Sequence, residues 1–178
     1  MKVLFLDIDG VLNGHEWDDD AKSCNIRREC VKHLNRVVQE TGCKIVVSSA
    51  WRYILLAGDM TTKGFGYMLR THGLIAPGGS MNLIVGYTGR DATDADPARS
   101  HERDGERGRQ CRAWLDWWAG LPGEGPTVTS FAAVDDDDDG FAEAGIPAVI
   151  TDGRHGLTCA DTTRLIALLG SPPDHNMR

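Results

Sequence analysis

The sequence predicts one α/β domain in which a mainly parallel sheet lies between two layers of helices. Three observations lead to this prediction. Short apolar runs alternate with longer segments that carry apolar residues at helical spacing, as is typical of a parallel sheet covered on both faces. The length of 178 residues and the apolar content of 41% suffice for one hydrophobic core. Two of the apolar runs also end in pairs of aspartates, at the position where open α/β sheets bind ligands.

Five short apolar runs are predicted to be the strands of this sheet. They are rich in β-branched and aromatic residues, which favour extended backbone. In chain order the predicted strands are 2–6, 44–47, 83–87, 128–134 and 148–151.

Three segments between the strands carry the periodicity of amphipathic helices. The first has Val31, Leu34 and Val38 on one face and Gly42 where a C-terminal cap is expected, and the last has Asp161 as its predicted N-cap. The predicted helices are 28–40, 108–119 and 161–169.

The domain is predicted to comprise residues 1–170, with 171–178 as a flexible tail. The tail contains Pro172 and Pro173 followed by polar residues, which is a composition that seldom folds. Residues 89–108 are rich in Asp, Arg and Gly, so we interpret them as a long exposed loop within the domain.

Composition argues against several classes of protein. No apolar stretch approaches the roughly 20 residues needed to cross a bilayer, and the first residues do not resemble a signal peptide. We therefore expect a cytoplasmic protein with no membrane partner, and no segment indicates an obligate protein partner. The five cysteines form no C-x-x-C pair, and their odd number favours reduced thiols. The formal net charge of −7 owes five of its charges to the run 135–139, so the acidity is local.

The first predicted strand ends in two aspartates that are separated by one residue. Alternate residues of an extended chain point to the same side, so Asp7 and Asp9 can converge on one ligand where the chain leaves the sheet. Gly10 then allows the backbone to turn and to place N–H groups against an anion.

The segment 3–13, VLFLDIDGVLN, resembles the first motif of the haloacid dehalogenase (HAD) superfamily. The resemblance implies a Rossmann-like three-layer sandwich and phosphatase activity. It implies that Asp7 attacks phosphorus to form an aspartyl-phosphate, and that Asp9 protonates the leaving oxygen and later activates water. A dehalogenase does not need the second acid, so Asp9 favours phosphoryl chemistry.

Two more motifs of this superfamily have counterparts in the chain. A serine or threonine after the second strand binds the phosphoryl group in the family, which makes Ser49 the first candidate and Ser48 the alternative. The segment 107–115, RGRQCRAWL, resembles a pattern of small HAD domains that include those attached to RNA-repair proteins. Arg107 is then the phosphate-binding cation in place of the superfamily's lysine, and arginine can contact phosphate bidentately.

The strand predicted at 128–134 runs into the acids that the resemblance implies as metal ligands. Magnesium prefers oxygen ligands and usually keeps several waters. Asp7, the backbone carbonyl of Asp9 and Asp135 are expected to bind Mg²⁺, with Asp136 either a ligand or beside the ligands. Which of Asp135 and Asp136 binds directly stays open.

The substrate is predicted to be a phosphorylated compound that reaches an open site, because the chain leaves room for a minimal cap domain or none. Trp51 and Arg52 follow the serines, and further arginines stand at 99, 103, 107, 109 and 112, which suggests the 3′- or 5′-phosphate end of DNA or RNA. A nucleotide or small metabolite is the alternative substrate.

Two alternatives belong to other functional classes. Acids spaced as in an EF-hand begin at Asp135, but Ile146 stands where that calcium loop needs a glutamate. The other alternative is a catalytically silent HAD-like module that binds phosphate without turning it over.

Overall fold

The computed structural model describes residues 1–14, 25–77, 82–89, 106–121 and 126–170. These residues contain five strands, which are β1 (Lys2–Leu6), β2 (Lys44–Val47), β3 (Ile84–Tyr87), β4 (Ser130–Asp135) and β5 (Ala148–Ile150). They form one sheet in the order β3-β2-β1-β4-β5, and every neighbouring pair is parallel. The predicted α/β sandwich around a parallel sheet is therefore confirmed.

Five helices accompany this sheet in the described ranges. They are α1 (Arg28–Thr41), α2 (Arg52–Leu56), α3 (Thr62–Thr71), α4 (Glu106–Ala119) and α5 (Cys159–Leu169). Helix α1 ends as predicted, since Gly42 is left-handed at φ 69° and its N–H donates to the carbonyl of Val38.

Two predicted helix starts were wrong. Helix α5 begins earlier than expected because Thr158 is its N-cap, and Asp161 completes a capping box from inside the first turn. Helix α4 begins at Glu106, so the last residues of the predicted loop 89–108 are helical, and residues 90–105 lie outside the described part.

Each strand contributes alternate residues to two hydrophobic clusters, one on either face of the sheet. Leu4 and Leu6 of β1 pack on the face that carries α1, α3 and α5, whereas Val3 and Phe5 pack on the face that carries α4. Residues on both faces of β1 are fully buried, which explains why its sequence is a continuous apolar run.

The segment after β2 adds to the helical layer. Phe65 and Leu69 of α3 are fully buried in the same cluster as β1 and β2. In the described residues, this segment therefore forms no separate cap domain. None of the described helices has the length and apolarity that crossing a membrane would require.

The two ends of the domain meet at the edge of the sheet where the strands begin. The Lys2 ammonium donates to the carbonyl of Gly170 over 2.7 Å, and the Ser130 hydroxyl donates to the carbonyl of Leu169 over 2.8 Å. The residues that carry chemistry lie at the opposite edge, where the strands end.

Candidate active site

The site is built where three neighbouring strands end. Leu6 is in register with Val47 of β2 and with Val134 of β4. The next residue of each strand, Asp7, Ser48 and Asp135, therefore emerges at the same edge of the sheet. Ser48 and Asp7 continue the ladder, because Ser48 N–H donates to Leu6 and Asp7 N–H donates to Val134.

Asp7 is a buried carboxylate with an incomplete set of partners. Its side chain is 1% exposed, and neither carboxylate oxygen accepts a hydrogen bond of good geometry. Arg107 Nη1 lies 3.0 Å from Asp7 Oδ1 as an ion pair. Burial raises the pKa of Asp7, while the charge of Arg107 and the nearby Ser49 hydroxyl oppose that rise. Buried carboxylate oxygens without donors suit a cation.

Arg107 links Asp7 of the first motif to Asp135 at the end of β4. Its Nη1 lies 2.7 Å from Asp135 Oδ2 and donates to the carbonyl of Ser48 over 3.3 Å. Burial and the charge of Asp7 raise the pKa of Asp135 to about 8, against the opposing charge of Arg107. Burial alone would lower the pKa of Arg107, but the two carboxylates outweigh burial and raise it. The guanidinium is therefore a permanent positive charge beside Asp7.

The start of helix α4 is fixed on the acidic loop that follows β4. Glu106 N–H donates to Asp139 Oδ1 over 3.0 Å, and Gly108 N–H donates to the Asp139 carbonyl over 2.9 Å. Gly108 is buried, and a Cβ there would overlap the backbone of Gly140. Close contact between these two glycines thus holds Arg107 over the strand ends.

Three aspartates form a cluster that fits a magnesium ion. Carboxylate oxygens of Asp7, Asp135 and Asp136 all lie within 4.8 Å of one another. All three offer oxygen donors, and neither oxygen of Asp7 accepts a hydrogen bond of good geometry, so the residues fit the preference of Mg²⁺. Asp135 is 1% exposed and Asp136 is half-buried.

Gly10 lies beside this cluster, but its N–H serves a turn within the chain rather than the predicted anion. Its N–H, which we predicted to face an anion, donates to Asn13 Oδ1 over 2.9 Å and closes a turn. Gly10 adopts φ 71°, and a Cβ there would overlap the side chain of Asp136. The glycine therefore provides a left-handed turn and room for Asp136.

Asp9 is held apart from the three clustered acids by two N–H donors. Trp51 Nε1 lies 3.0 Å from Asp9 Oδ2 and 3.2 Å from Oδ1, and Asn13 Nδ2 donates to Oδ1 over 2.8 Å. Sequence reasoning missed Asn13 as a site residue, and it connected Trp51 with the substrate rather than with Asp9. Asn13 is the last residue of the first motif and Trp51 closely follows the two serines. Their nearness to these motifs in the sequence was the signal that could have identified them as partners of Asp9.

The two candidate serines point in different directions. The Ser48 hydroxyl lies 3.5 Å from Cys111 Sγ, beneath the site. Burial raises the pKa of the Cys111 thiol to about 12. The Ser49 hydroxyl accepts from Trp51 N–H over 3.4 Å and lies near the Asp7 carboxylate. Of the two hydroxyls, that of Ser49 is therefore the one near Asp7, whereas that of Ser48 faces Cys111.

The later aspartates differ in their surroundings. Asp137 and Asp138 are exposed, while Asp139 contacts α4. Strand β4 leads into this loop, whereas an EF-hand loop follows a helix. Thr151, which sequence reasoning missed, donates to the Gly10 carbonyl over 2.9 Å and joins the turn after β1 to the end of β5.

The parallel sheet and the carboxylates at adjacent strand ends are those of a HAD-like domain. Residues 3–162 match the family described as the HAD domain in Swiss Army Knife RNA repair proteins, and the chain belongs to this family. Comparison with curated proteins and with solved structures gave no match.

Proposed function

We propose that this protein is a magnesium-dependent phosphomonoester hydrolase that acts through an aspartyl-phosphate on Asp7. The main support is the Asp7 carboxylate, which is buried between Arg107 and the acids that follow β4 and accepts no hydrogen bond of good geometry. Membership of a HAD family supports a hydrolase of this type.

The proposed reaction has two displacements at phosphorus. In the first, an oxygen of Asp7 attacks phosphorus, the bond to the leaving oxygen breaks, and Asp9 gives that oxygen its proton. In the second, water attacks the phosphorus of the aspartyl-phosphate and passes a proton to Asp9. The bond between phosphorus and Asp7 then breaks, which releases phosphate and restores both aspartates.

Positive charge and hydrogen bonds would stabilise the transferring phosphoryl group. Arg107 is already charged beside Asp7, and the Ser49 hydroxyl lies near the same carboxylate. These groups would contact the phosphoryl oxygens, where charge builds up in the transition state. Asp7, Asp135, Asp136 and the backbone carbonyl of Asp9 would hold Mg²⁺, which supplies further neutralisation of that charge.

Replacement of the nucleophile tests this proposal. Asp7→Asn should abolish turnover of an activated aryl phosphate and leave the protein folded, because the side chain keeps its size. The matched control is Asp116→Asn on the exposed face of α4, which should keep full activity. Wild-type rates from folded Asp7→Asn protein would refute the mechanism. A wild-type protein that binds phosphate analogues but releases no phosphate would indicate the silent module.

For the substrate, we propose a phosphorylated polynucleotide end. The family to which the chain belongs is described as a domain of RNA repair proteins, and no separate cap domain is present in the described residues. The side chains that suggested a polynucleotide are partly engaged elsewhere: Trp51 donates to Asp9, and Arg112 donates to the carbonyls of Ala144 and Gly145. Arginines 99 and 103 lie outside the described residues.

A comparison of substrates would separate a polynucleotide from a small molecule. We would measure kcat/KM for a short oligonucleotide with a 3′-phosphate, the same oligonucleotide with a 5′-phosphate, and the matching mononucleotides, at low and moderate salt. The polymer should be preferred, and its advantage should shrink as salt rises. Equal or better turnover of mononucleotides would identify a small-molecule phosphatase, which suits the net charge of −7.

A further inference from the structure

We infer that Trp51, through its indole N–H, is the residue that positions Asp9 for proton transfer to the leaving group. The inference rests on the proposed function, because it concerns how the acid of that reaction is oriented. It starts from a bifurcated hydrogen bond, in which Trp51 Nε1 lies 3.0 Å and 3.2 Å from the two oxygens of Asp9.

The two oxygens of Asp9 are not equivalent in this arrangement. Oδ1 accepts from both Trp51 Nε1 and Asn13 Nδ2, whereas Oδ2 accepts only from Trp51 among the described residues. A carboxylate oxygen has two lone pairs, so Oδ2 retains one that can carry a proton. The two donors thus leave Oδ2 as the oxygen that can carry the proton for the leaving group.

Both donors are themselves held in place. Asn13 is fully buried and its Oδ1 accepts the N–H of Gly10, which orients the amide so that Nδ2 points to Asp9. The Trp51 ring packs edge-on against buried Phe65, with ring centroids 6.3 Å apart and planes at 86°. The indole N–H is therefore fixed by the hydrophobic core, independently of any substrate.

The indole N–H of Trp51 should also stabilise the transition state of the reaction. When Asp9 gives its proton to the leaving oxygen, it becomes a carboxylate, and the charge develops where the indole N–H already points. A donor that is in place before the charge forms stabilises the transition state more than the ground state. Its contribution should depend on how much the leaving group needs the proton.

The test is Trp51→Phe, which removes the N–H and keeps an aromatic ring against Phe65. We would measure kcat/KM, which reports events up to the first irreversible step, for nitrophenyl phosphate and for glycerol phosphate. The alkoxide of glycerol needs a proton to leave, whereas nitrophenolate does not. Trp51→Phe should therefore lower kcat/KM about tenfold or more for glycerol phosphate and about twofold or less for nitrophenyl phosphate.

Trp118→Phe is the matched control, because it also removes an indole hydrogen bond, from Nε1 to the carbonyl of Pro126, far along α4 from Arg107. Trp118→Phe should leave kcat/KM unchanged for both esters. The Trp51 effect should also vanish in an Asp9→Asn background. Equal losses for both esters, or a loss that persists beside Asp9→Asn, would overturn the inference. If the wild-type protein hydrolyses neither these esters nor a phosphorylated oligonucleotide, the proposed function itself fails.

A spectroscopic measurement tests the contact without turnover. The chain has five tryptophans, and Trp51→Phe identifies the indole N–H resonance of Trp51 by its loss. That resonance should shift strongly in Asp9→Asn, where a charged acceptor becomes neutral, and the other four should not. An unshifted Trp51 resonance would show that the indole does not bind Asp9.

Discussion

Gly108 and Gly140 approach each other so closely that a Cβ on Gly108 would overlap the Gly140 carbonyl group. The contact joins the first turn of α4 to the acidic loop after β4, and the Gly108 N–H reinforces it by donating to Asp139. Because Arg107 precedes Gly108, this backbone contact sets how far its guanidinium reaches toward Asp7 and Asp135.

Gly108→Ala should therefore damage both stability and catalysis. The added methyl group must push α4 away from the loop, at a cost of about 1–3 kcal/mol in the free energy of unfolding. Urea denaturation measures this cost, and phosphatase kinetics measure the displacement of Arg107. Gly120→Ala is the control at the other end of α4, where a Cβ would meet its nearest neighbours at 3.5 Å. Equal behaviour of the two variants would contradict this account of the glycine contact.

Arg107→Ala should lower kcat/KM by an amount equivalent to about 2–4 kcal/mol, as expected for loss of a contact to the transferring group. In the absence of metal it should also destabilise the fold, because Asp7 and Asp135 lose their shared cation. Lys32→Ala, which removes an exposed cation of α1, should do neither. Kinetics of Arg107→Ala indistinguishable from wild type would move the phosphate-binding role to another cation.

Magnesium should raise the melting temperature of the protein, because a ligand that binds only the folded state stabilises it by linkage. At a concentration of about 100 times Kd, the gain is about 2.7 kcal/mol. Chelation should remove both the gain and the activity, and Asp135→Asn should remove most of the thermal shift. Asp116→Asn should keep the shift. If Asp135→Asn retained it as well, Asp136 would be the next ligand to test.

Alanine variants of the two serines should differ in their effect on kcat/KM. Ser49→Ala should lower kcat/KM by about 100- to 1000-fold, the range found for loss of one transition-state donor. Ser48→Ala should have a much smaller effect, because the Ser48 hydroxyl faces Cys111. The reverse order in steady-state kinetics would show that Ser48 is the phosphoryl contact.

Cys43 should make stability fall in alkaline solution. Burial raises the pKa of its thiol from 9.0 to about 11, so the folded protein disfavours the thiolate. Its contribution is fully present below pH 9 and is lost as the pH rises from about 9 to 11. Cys43→Ala should reduce this decline in urea unfolding free energies. Rapid alkylation of native Cys43 at pH 8, comparable with that of exposed Cys159, would contradict its burial.

The sequence predicted the strands well because each is an apolar run that ends at a polar residue. β1 and β2 have their predicted bounds, since charge or polarity changes abruptly at Asp7 and Ser48. Helix starts were predicted less well because capping depends on a hydrogen bond between side chain and backbone. Both Thr158 and Asp161 suit an N-cap, and only the fold selects one of them.

The site could be predicted by residue type but not by hydrogen-bonding partner. The motifs identified Asp7, Arg107 and Asp135, which the fold brings together through strand register. The partners of Gly10 and Asp9 could not be predicted, because they depend on how the turn after β1 meets the segment after β2. Such contacts between distant parts of the chain leave no periodic signal in the sequence.

Because Lys2 contacts Gly170, the first strand and the last helix of the domain begin and end next to each other. Its entry and exit points lie side by side, on the edge of the sheet opposite Asp7. A short linker could join these two points, and a circular permutant opened elsewhere would keep the same strand order and pairing. A tether or second module attached at this edge would also leave the strand ends clear, so a bulky substrate could approach from the other side.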